Sequence, residues 1–272
     1  MRKTKSLTIV TTWGTKYWPK PVKPGLESTV KNWPSHAKIL LYPDDMSQQT
    51  KLPRTTYYDL CKEQPALQEF IDRNKNNPKL TTWQPQQYKF EYDAIRFSYK
   101  VFACIDAYYR TKPDMLWFLD ADIVTFEKIP MSWLEHIIPD TAFTSYLGRP
   151  KKGFSETGYY AFNTAHKYAE EFFERWQTYY DKDRFLELKG YTDSFTFDGA
   201  RIELEKEGKI KNEDLNDGRF AGGRRSRHPF INSELGQYMD HLKGYDRKAA
   251  MTSKKRDLTT KQTHPYWKSL KD

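Results

Sequence analysis

Apolar and β-branched residues fill Leu7 to Trp13 (LTIVTTW), a run that reads as a buried first strand. Pro19, Pro21, Pro24 and Gly25 then punctuate a loop, and Glu27 to Trp33 reads as a helix. Ala37 to Tyr42 (AKILLY) gives a second strand that ends in Pro43-Asp44-Asp45. Strand, loop, helix and strand in this order open a parallel α/β unit. Residues 47–90 are polar, with no sustained period, and are expected to hold short helices and a long loop. From Tyr92 to Arg110 the apolar positions 94, 95, 97, 101, 102 and 105 share one helical face. Met115 to Leu119 (MLWFL) reads as a central strand, followed at once by Asp120-Ala121-Asp122 and then Ile123-Val124. Further along, Met131–Ile137 reads as a helix, and Ala142–Tyr146 and Tyr159–Phe162 as strands. Ala165–Tyr180 and Phe195–Lys206 read as helices. No internal repeat or linker interrupts this order. The expectation is one α/β domain over residues 1–250 with elaborations after 150, and a basic C-terminal segment, 251–272, packed on it or flexible.

Composition narrows the class. Aromatic residues make up 16% of the 272 positions, which excludes bulk disorder. The longest strongly apolar run near the middle, Met115–Leu119, is far short of the roughly 20 residues of a membrane span. The basic start, MRKTKSLTIVTTWG, has too short an apolar piece for a signal peptide. With 2 cysteines, Cys61 and Cys104, neither a disulfide framework nor a cysteine zinc site is expected. A soluble, cytoplasmic protein is the expectation. The net charge of +9 is local. Arg219–His228 holds four Arg and no acid, and Arg247–Asp272 holds eight Lys or Arg against two acids. Such stretches suit a diphosphate, a polyanion or nucleic acid, and equally a solvated loop and tail.

The chemistry concentrates at Asp120 and Asp122. Residues two apart on a strand point the same way. Two carboxylates at a strand's end can therefore share a hard cation, Mg²⁺ or Mn²⁺, that leaves positions open for phosphate oxygens. Carboxyl ends of strands are also where open α/β sheets bind ligands. The spacing alone is weak, since Asp181-Lys182-Asp183 repeats it. That second pair follows an amphipathic helix and reads as a solvated loop.

An apolar strand running into Asp120-Ala121-Asp122 and Ile-Val resembles the metal motif of GT-A fold, nucleotide-sugar-dependent glycosyltransferases. The resemblance spans about residues 5–250. It implies a Rossmann-like, mixed but mostly parallel sheet flanked by helices, and a UDP- or GDP-sugar donor. It places Thr11, Thr12 and Trp13 near the nucleotide, and Arg96 and Lys100 toward the donor diphosphate. His241-Leu242-Lys243-Gly244-Tyr245-Asp246-Arg247-Lys248 is similar to the H-x-x-G-x-x-K signature of the glycogenin-like, retaining branch. That implies His241 as a third metal ligand and Gly244 as a close backbone approach to the phosphates. The basic role then falls to Arg247 or Lys248, Arg247 standing where the branch has Lys.

On the acceptor side, Glu156 is a candidate general base or stabiliser of positive charge on the sugar. Asp193 is a candidate sugar contact or the N-cap of the helix that follows it. Phe220–Arg227 has the composition of a lid. The acceptor is open among a glycan, a lipid, a protein and modified nucleic acid. Two other classes compete: a metal-dependent nucleotidyltransferase, and a basic nucleic-acid-binding protein. The first lacks its Gly-rich phosphate loop, since residues 14–25 hold only Gly14 and Gly25. The second has charge but no recognisable nucleic-acid motif.

Overall fold

In the computed structural model, residues 4–80, 89–149, 152–220 and 228–270 are described. The lid expected at Phe220–Arg227 lies, beyond Phe220, outside them. The first strand forms as read, β1 (Leu7–Trp13). Helix α1 (Val22–Asn32) starts five residues before the expected point, taking in Pro24 and Gly25. Proline is tolerated there because the first turn's N–H groups have no intrahelical partner. Then come β2 (Lys38–Pro43), β3 (Thr55–Tyr57), α2 (Leu60–Glu63), α3 (Pro65–Asn74) and α4 (Ala94–Thr111). The centre is β4 (Met115–Leu119), β5 (Ile123–Thr125), α5 (Met131–Ile137), β6 (Thr144–Leu147) and β7 (Glu156–Asn163). The remainder is α6 (Ala169–Asp181), α7 (Asp193–Lys206), β8 (Asn212–Asp214), β9 (Met239–His241), α8 (Tyr245–Ala250) and α9 (Pro265–Lys268).

Seven strands form one sheet in the order β3-β2-β1-β4-β7-β6-β8. β1 pairs in parallel with β2 and β4, and β2 with β3. β7 runs antiparallel to both β4 and β6, and β6 is parallel to β8, so β7 is the reversed strand of a mostly parallel sheet. This is the mixed sheet of a GT-A-like α/β domain.

The central strands are apolar throughout because both faces are covered. Along β4 the residues alternate. Leu116 and Phe118 join Val10, Phe102 and Tyr160 beneath α4, α6 and α7, while Met115, Trp117 and Leu119 join Ile9, Leu26 and Trp133 beneath α1 and α5. Chain order reverses between β1 and β4, where one crossover leads outward to β2 and the next returns to β4. Ligand crevices open at such switch points.

Two devices hold the layers around that crevice. Asp106 on α4 accepts hydrogen bonds from the Tyr42 hydroxyl (2.6 Å), Gln64 (2.9 Å) and Nε and Nη2 of the Arg110 guanidinium (2.8 and 3.0 Å). Burial opposes its charge, but Arg110, Tyr42 and Gln64 outweigh burial and hold the carboxyl below its ordinary range. On the other face, Gly25 of α1 lies against the turn after β4. A Cβ there would sit 2.8 Å from the Ala121 carbonyl oxygen and 3.0 Å from that of Ile123. Ser28 Oγ accepts the Thr125 N–H (3.0 Å) and Asn32 donates to the Thr125 carbonyl (2.5 Å), so α1 clamps β5 along its length.

Gly25→Ala sets a helix-propensity gain of about 1 kcal/mol against overpacking of about 1–3 kcal/mol. The expected result is a net loss of about 1 kcal/mol, read as a lower urea midpoint. For Asp106 the folded pKa is depressed. Its stabilisation is therefore present above the unfolded value of about 3.9 and is lost as pH falls through the folded one. The stability gap between wild type and Asp106→Asn should be open at pH 7 and narrow at pH 3, as urea midpoints at the two pH values would show.

A candidate metal centre at the sheet switch point

β4 ends on Leu119, and Asp120 leaves the sheet with its N–H still bonded to the Gly158 carbonyl (2.8 Å). A tight turn follows, Ile123 N–H to Asp120 carbonyl (3.0 Å), and delivers the chain into β5. β5 pairs antiparallel with β9, and Ile123 is in register with His241. The Leu242 N–H closes on the Asp122 carbonyl (3.0 Å). Residues more than a hundred positions apart thus meet because two short strands pair. The imidazole fits against β7 because residue 158 is glycine: a Cβ there would lie 2.5 Å from His241 Cε1 and Nδ1.

His241 Nε2 stands 3.3 Å from Asp122 Oδ1 and 3.6 Å from Asp120 Oδ2. One ligand atom from each of the three residues lies within 4.8 Å of the others. Cis ligands on an octahedral ion with bonds of about 2.1 Å lie about 3 Å apart. Two carboxylate oxygens and one imidazole nitrogen are acceptable donors for a hard divalent cation. Asp122 Oδ1 is buried and satisfied by no hydrogen bond within the protein. By donor type and spacing the three residues can hold a metal ion. Asp181 and Asp183 make no such group: Asp183 takes an ion pair from Arg73 (3.0 Å) and a hydrogen bond from Asn74 (3.1 Å).

Cations surround the acids. Lys100 of α4 reaches Asp120 (2.9 Å), Asp193 (2.9 Å) and the Thr157 carbonyl (2.8 Å). Lys248 of α8 reaches Asp122 Oδ2 (2.7 Å), with its ammonium 4.4 Å from the centre of the Tyr17 ring. Burial and the charge on Asp122 push the Asp120 carboxyl up, with Lys100 and His241 opposing. Burial acts on Asp122 too, but His241 and Lys248 outweigh it and hold that carboxyl well below the usual range.

A cavity of about 500 Å³ opens beside Asp120 and Asp122, within the range of small-molecule sites. Trp13, Tyr17 and Tyr99 give it aromatic walls, and Arg96, Lys100 and Lys248 face it with positive charge. Arg96 donates to the Tyr17 hydroxyl (2.8 Å). Asp44, at the end of β2, also lines it and accepts from the Thr15 N–H (3.0 Å) and hydroxyl (2.8 Å).

The expected site residues fall into three places. Trp13, Arg96, Lys100, Lys248, Asp120 and Asp122 line the cavity, and His241 closes the group behind it. Thr11 does not line it: its hydroxyl is buried on the Leu119 carbonyl (3.1 Å), and its neighbour Thr12 takes the wall position. Arg247 turns away to grip Asp257 with two hydrogen bonds (3.0 and 2.6 Å), which leaves the basic position at the acids to Lys248. Gly244 takes φ 85°, ψ 168°, a conformation essentially confined to glycine, and turns the chain from β9 into α8 so that Lys248 comes back over the acids.

Asp193 and Glu156 stand behind the site. Thr192, not Asp193, is the N-cap of α7. Asp193 is 1% exposed and accepts from the Tyr160 hydroxyl (2.5 Å) besides Lys100. Glu156, 5% exposed, faces His241 Nδ1 at 3.6 Å and is paired with Lys243 and Arg149. Burial opposes its charge, but Lys243, His241 and Arg149 hold its carboxyl down at about 2. The sequence reading missed Asp44, Tyr17, Tyr99, Lys243 and Arg149. Lys243 lay inside the His241–Lys248 signature, and Asp44 at a strand end on the ligand side of the sheet. Nothing local marked the others.

No protein-family model matches the sequence, and no curated protein matches it. Solved glycosyltransferases match the structure. WbbM, a bifunctional glycosyltransferase in its apo form, aligns with a TM-score of 0.50 and 10% identity over 90% of this chain and 47% of that one. GlyE of Streptococcus pneumoniae TIGR4 aligns with a TM-score of 0.39 and 11% identity over 79% of this chain and 46% of that one. Mouse xyloside xylosyltransferase 1, apo form, aligns with a TM-score of 0.47 and 7% identity over 78% of this chain and 86% of that one. The chain spans about half the length of WbbM and of GlyE. At 10% identity the likeness to WbbM is one of fold. Among the described residues no helix is long and apolar enough to cross a membrane.

Titration calorimetry tests the metal group. His241→Ala should weaken Mn²⁺ binding at least tenfold, and Gly158→Ala, which removes no ligand but displaces the imidazole, should weaken it about tenfold. Wild-type affinity in both variants would exclude His241 from the site.

Proposed function

We propose that this chain is a metal-dependent glycosyltransferase of the hexosyltransferase type, moving a sugar from a UDP- or GDP-sugar to a hydroxyl acceptor. The observation that carries the reading is the Asp120–Asp122–His241 group set beside a cation-lined cavity at the sheet's switch point. When bound, Mn²⁺ or Mg²⁺ supplies charge stabilisation to the departing diphosphate. Asp120, Asp122 and His241 hold that ion. Lys248 and Arg96 meet the diphosphate oxygens, Arg96 with a fork that suits phosphate. Trp13, Tyr17 and Tyr99 form the apolar wall for the nucleobase and exclude water from one side of the bond that breaks.

In this reading Glu156 and Asp193 orient other groups and do not touch the sugar. Glu156 lies 3.6 Å from the ring nitrogen of His241 turned away from the acids, too far for a hydrogen bond but close enough for its charge to act on the imidazole. Asp193 fixes Lys100 against Asp120. A carboxylate already held ionised by Lys243, His241 and Arg149 is a weak proton acceptor. That supports transfer with retention, in which the leaving phosphate takes the acceptor proton, as in the glycogenin-like branch. The acceptor is a glycan, a lipid-linked sugar, a protein side chain or a modified base in nucleic acid. The basic stretches late in the chain favour an anionic one.

A thermal-shift panel of UDP- and GDP-sugars, with and without Mn²⁺, tests the reading. One donor at about a hundred times its Kd should raise the midpoint by about 5 °C or more, and only with the metal. Asp122→Ala should abolish both the shift and donor hydrolysis. A panel in which no nucleotide sugar moves the midpoint would refute the function.

A further inference from the structure

β9 is three residues long and pairs with a strand of equal length in a sheet of two. A two-stranded ribbon is at best marginally stable in water, and this one is shorter than most. Yet its register sets where His241 stands relative to Asp122. Something outside the ribbon must fix it, and the chain beyond α8 does.

Asp240, beside His241, is fully buried. Both of its carboxylate oxygens are taken by that later segment. The Ser253 N–H donates to Oδ2 (2.7 Å), the Ser253 hydroxyl to Oδ1 (2.6 Å) and the Tyr266 hydroxyl to Oδ2 (2.7 Å). The Tyr266 ring stacks on Phe126, the first residue past β5, with centroids 4.1 Å apart and planes 9° from parallel. Trp267 meets the same ring edge-on at 5.5 Å, and its indole N–H donates to the Gly236 carbonyl (2.6 Å), just ahead of β9. The path between is tied as well. Arg247 grips Asp257, and the Asn232 side chain receives the Thr259 N–H (2.7 Å) and donates to the Asp257 carbonyl (2.9 Å). One segment thus holds both strands of the ribbon from the same end.

We propose that residues 251–268 are a strap that positions His241 for metal binding, with Tyr266 as the positioning residue. This rests on the reading that the Asp120–Asp122–His241 group holds a divalent ion. Tyr266→Phe keeps the ring on Phe126 and deletes the one hydroxyl that ties the strap's aromatic end to Asp240, leaving a buried carboxylate short of a donor. The test uses the full chain, well below its unfolding midpoint. Mn²⁺ binding, followed by the electron paramagnetic resonance signal of the free ion, is expected to weaken about tenfold. Hydrogen exchange of the 239–241 amides is expected to quicken in the metal-free variant. A tail that served stability alone would lower the unfolding midpoint and leave affinity and exchange at wild-type levels, and that result overturns the proposal. If the wild-type chain itself binds no Mn²⁺, the metal reading falls and the strap's role with it. Wild-type binding that Tyr266→Phe leaves unchanged overturns the strap alone.

Discussion

Two carboxylates at the end of one strand repel each other, and the structure around them is arranged to offset that repulsion. Unit charges about 4 Å apart near a protein surface interact by about 4 kcal/mol, a large fraction of what holds a domain folded. The sheet offers no relief, because β4 beneath the pair is apolar throughout. Positive charge arrives from two separate segments, Lys100 on α4 and Lys248 on α8, and His241 on β9 brings an imidazole to the pair. Each stands on a different acid or oxygen. The two acids are accordingly unequal, Asp122 held ionised and Asp120 pushed up by burial beside it. A divalent cation between them would relieve the remaining repulsion, which is the physical reason to expect one.

Much of this was legible in the sequence, and the reason is locality. β1, β4 and α5 appear where the pattern puts them because buried strands and amphipathic helices carry their signal in contiguous residues. The Asp pair was legible for the same reason, as a break in polarity directly after an apolar run. β3, β8 and β9 were not, since each is three residues long and none has an apolar alternation. β3 and β8 exist because a sheet edge offers unpaired backbone groups, and β9 because β5 does. Such strands are decided by the partner. The polar start of β7 lies outside the apolar pattern, because Glu156 and Thr157 are buried by charges and hydrogen bonds from distant residues.

The site showed the same division. His241 was found through a resemblance, since a lone histidine between an aspartate and a leucine carries no local mark. The choice between Arg247 and Lys248 could not be made from their order, because it depends on the turn at Gly244. There one rotation of α8 sends Lys248 to Asp122 and Arg247 to Asp257. Asp193 read equally as a cap or a sugar contact, and the cap reading fails. The cap is Thr192, and the carboxylate is turned inward to Lys100.

The order of dependence among these parts has a consequence for how the site forms. The turn that carries Asp120 and Asp122 is held by β1, β7 and α1 through contacts made within the first 163 residues, to which the Leu242 N–H adds one bond at the Asp122 carbonyl. His241 and Lys248 come from a segment that must close a loop of more than a hundred residues before it meets them. Closure over such a span carries an entropy that grows only slowly with length, so a few good contacts at the far end suffice to hold it. The pairing of β5 with β9 is too short to be those contacts. The aromatic packing of Tyr266 and Trp267 on Phe126, together with the buried Asp240, is large enough. On the proposed metal reading, stability and metal competence are therefore separable: the sheet can be complete before His241 is fixed beside the two acids.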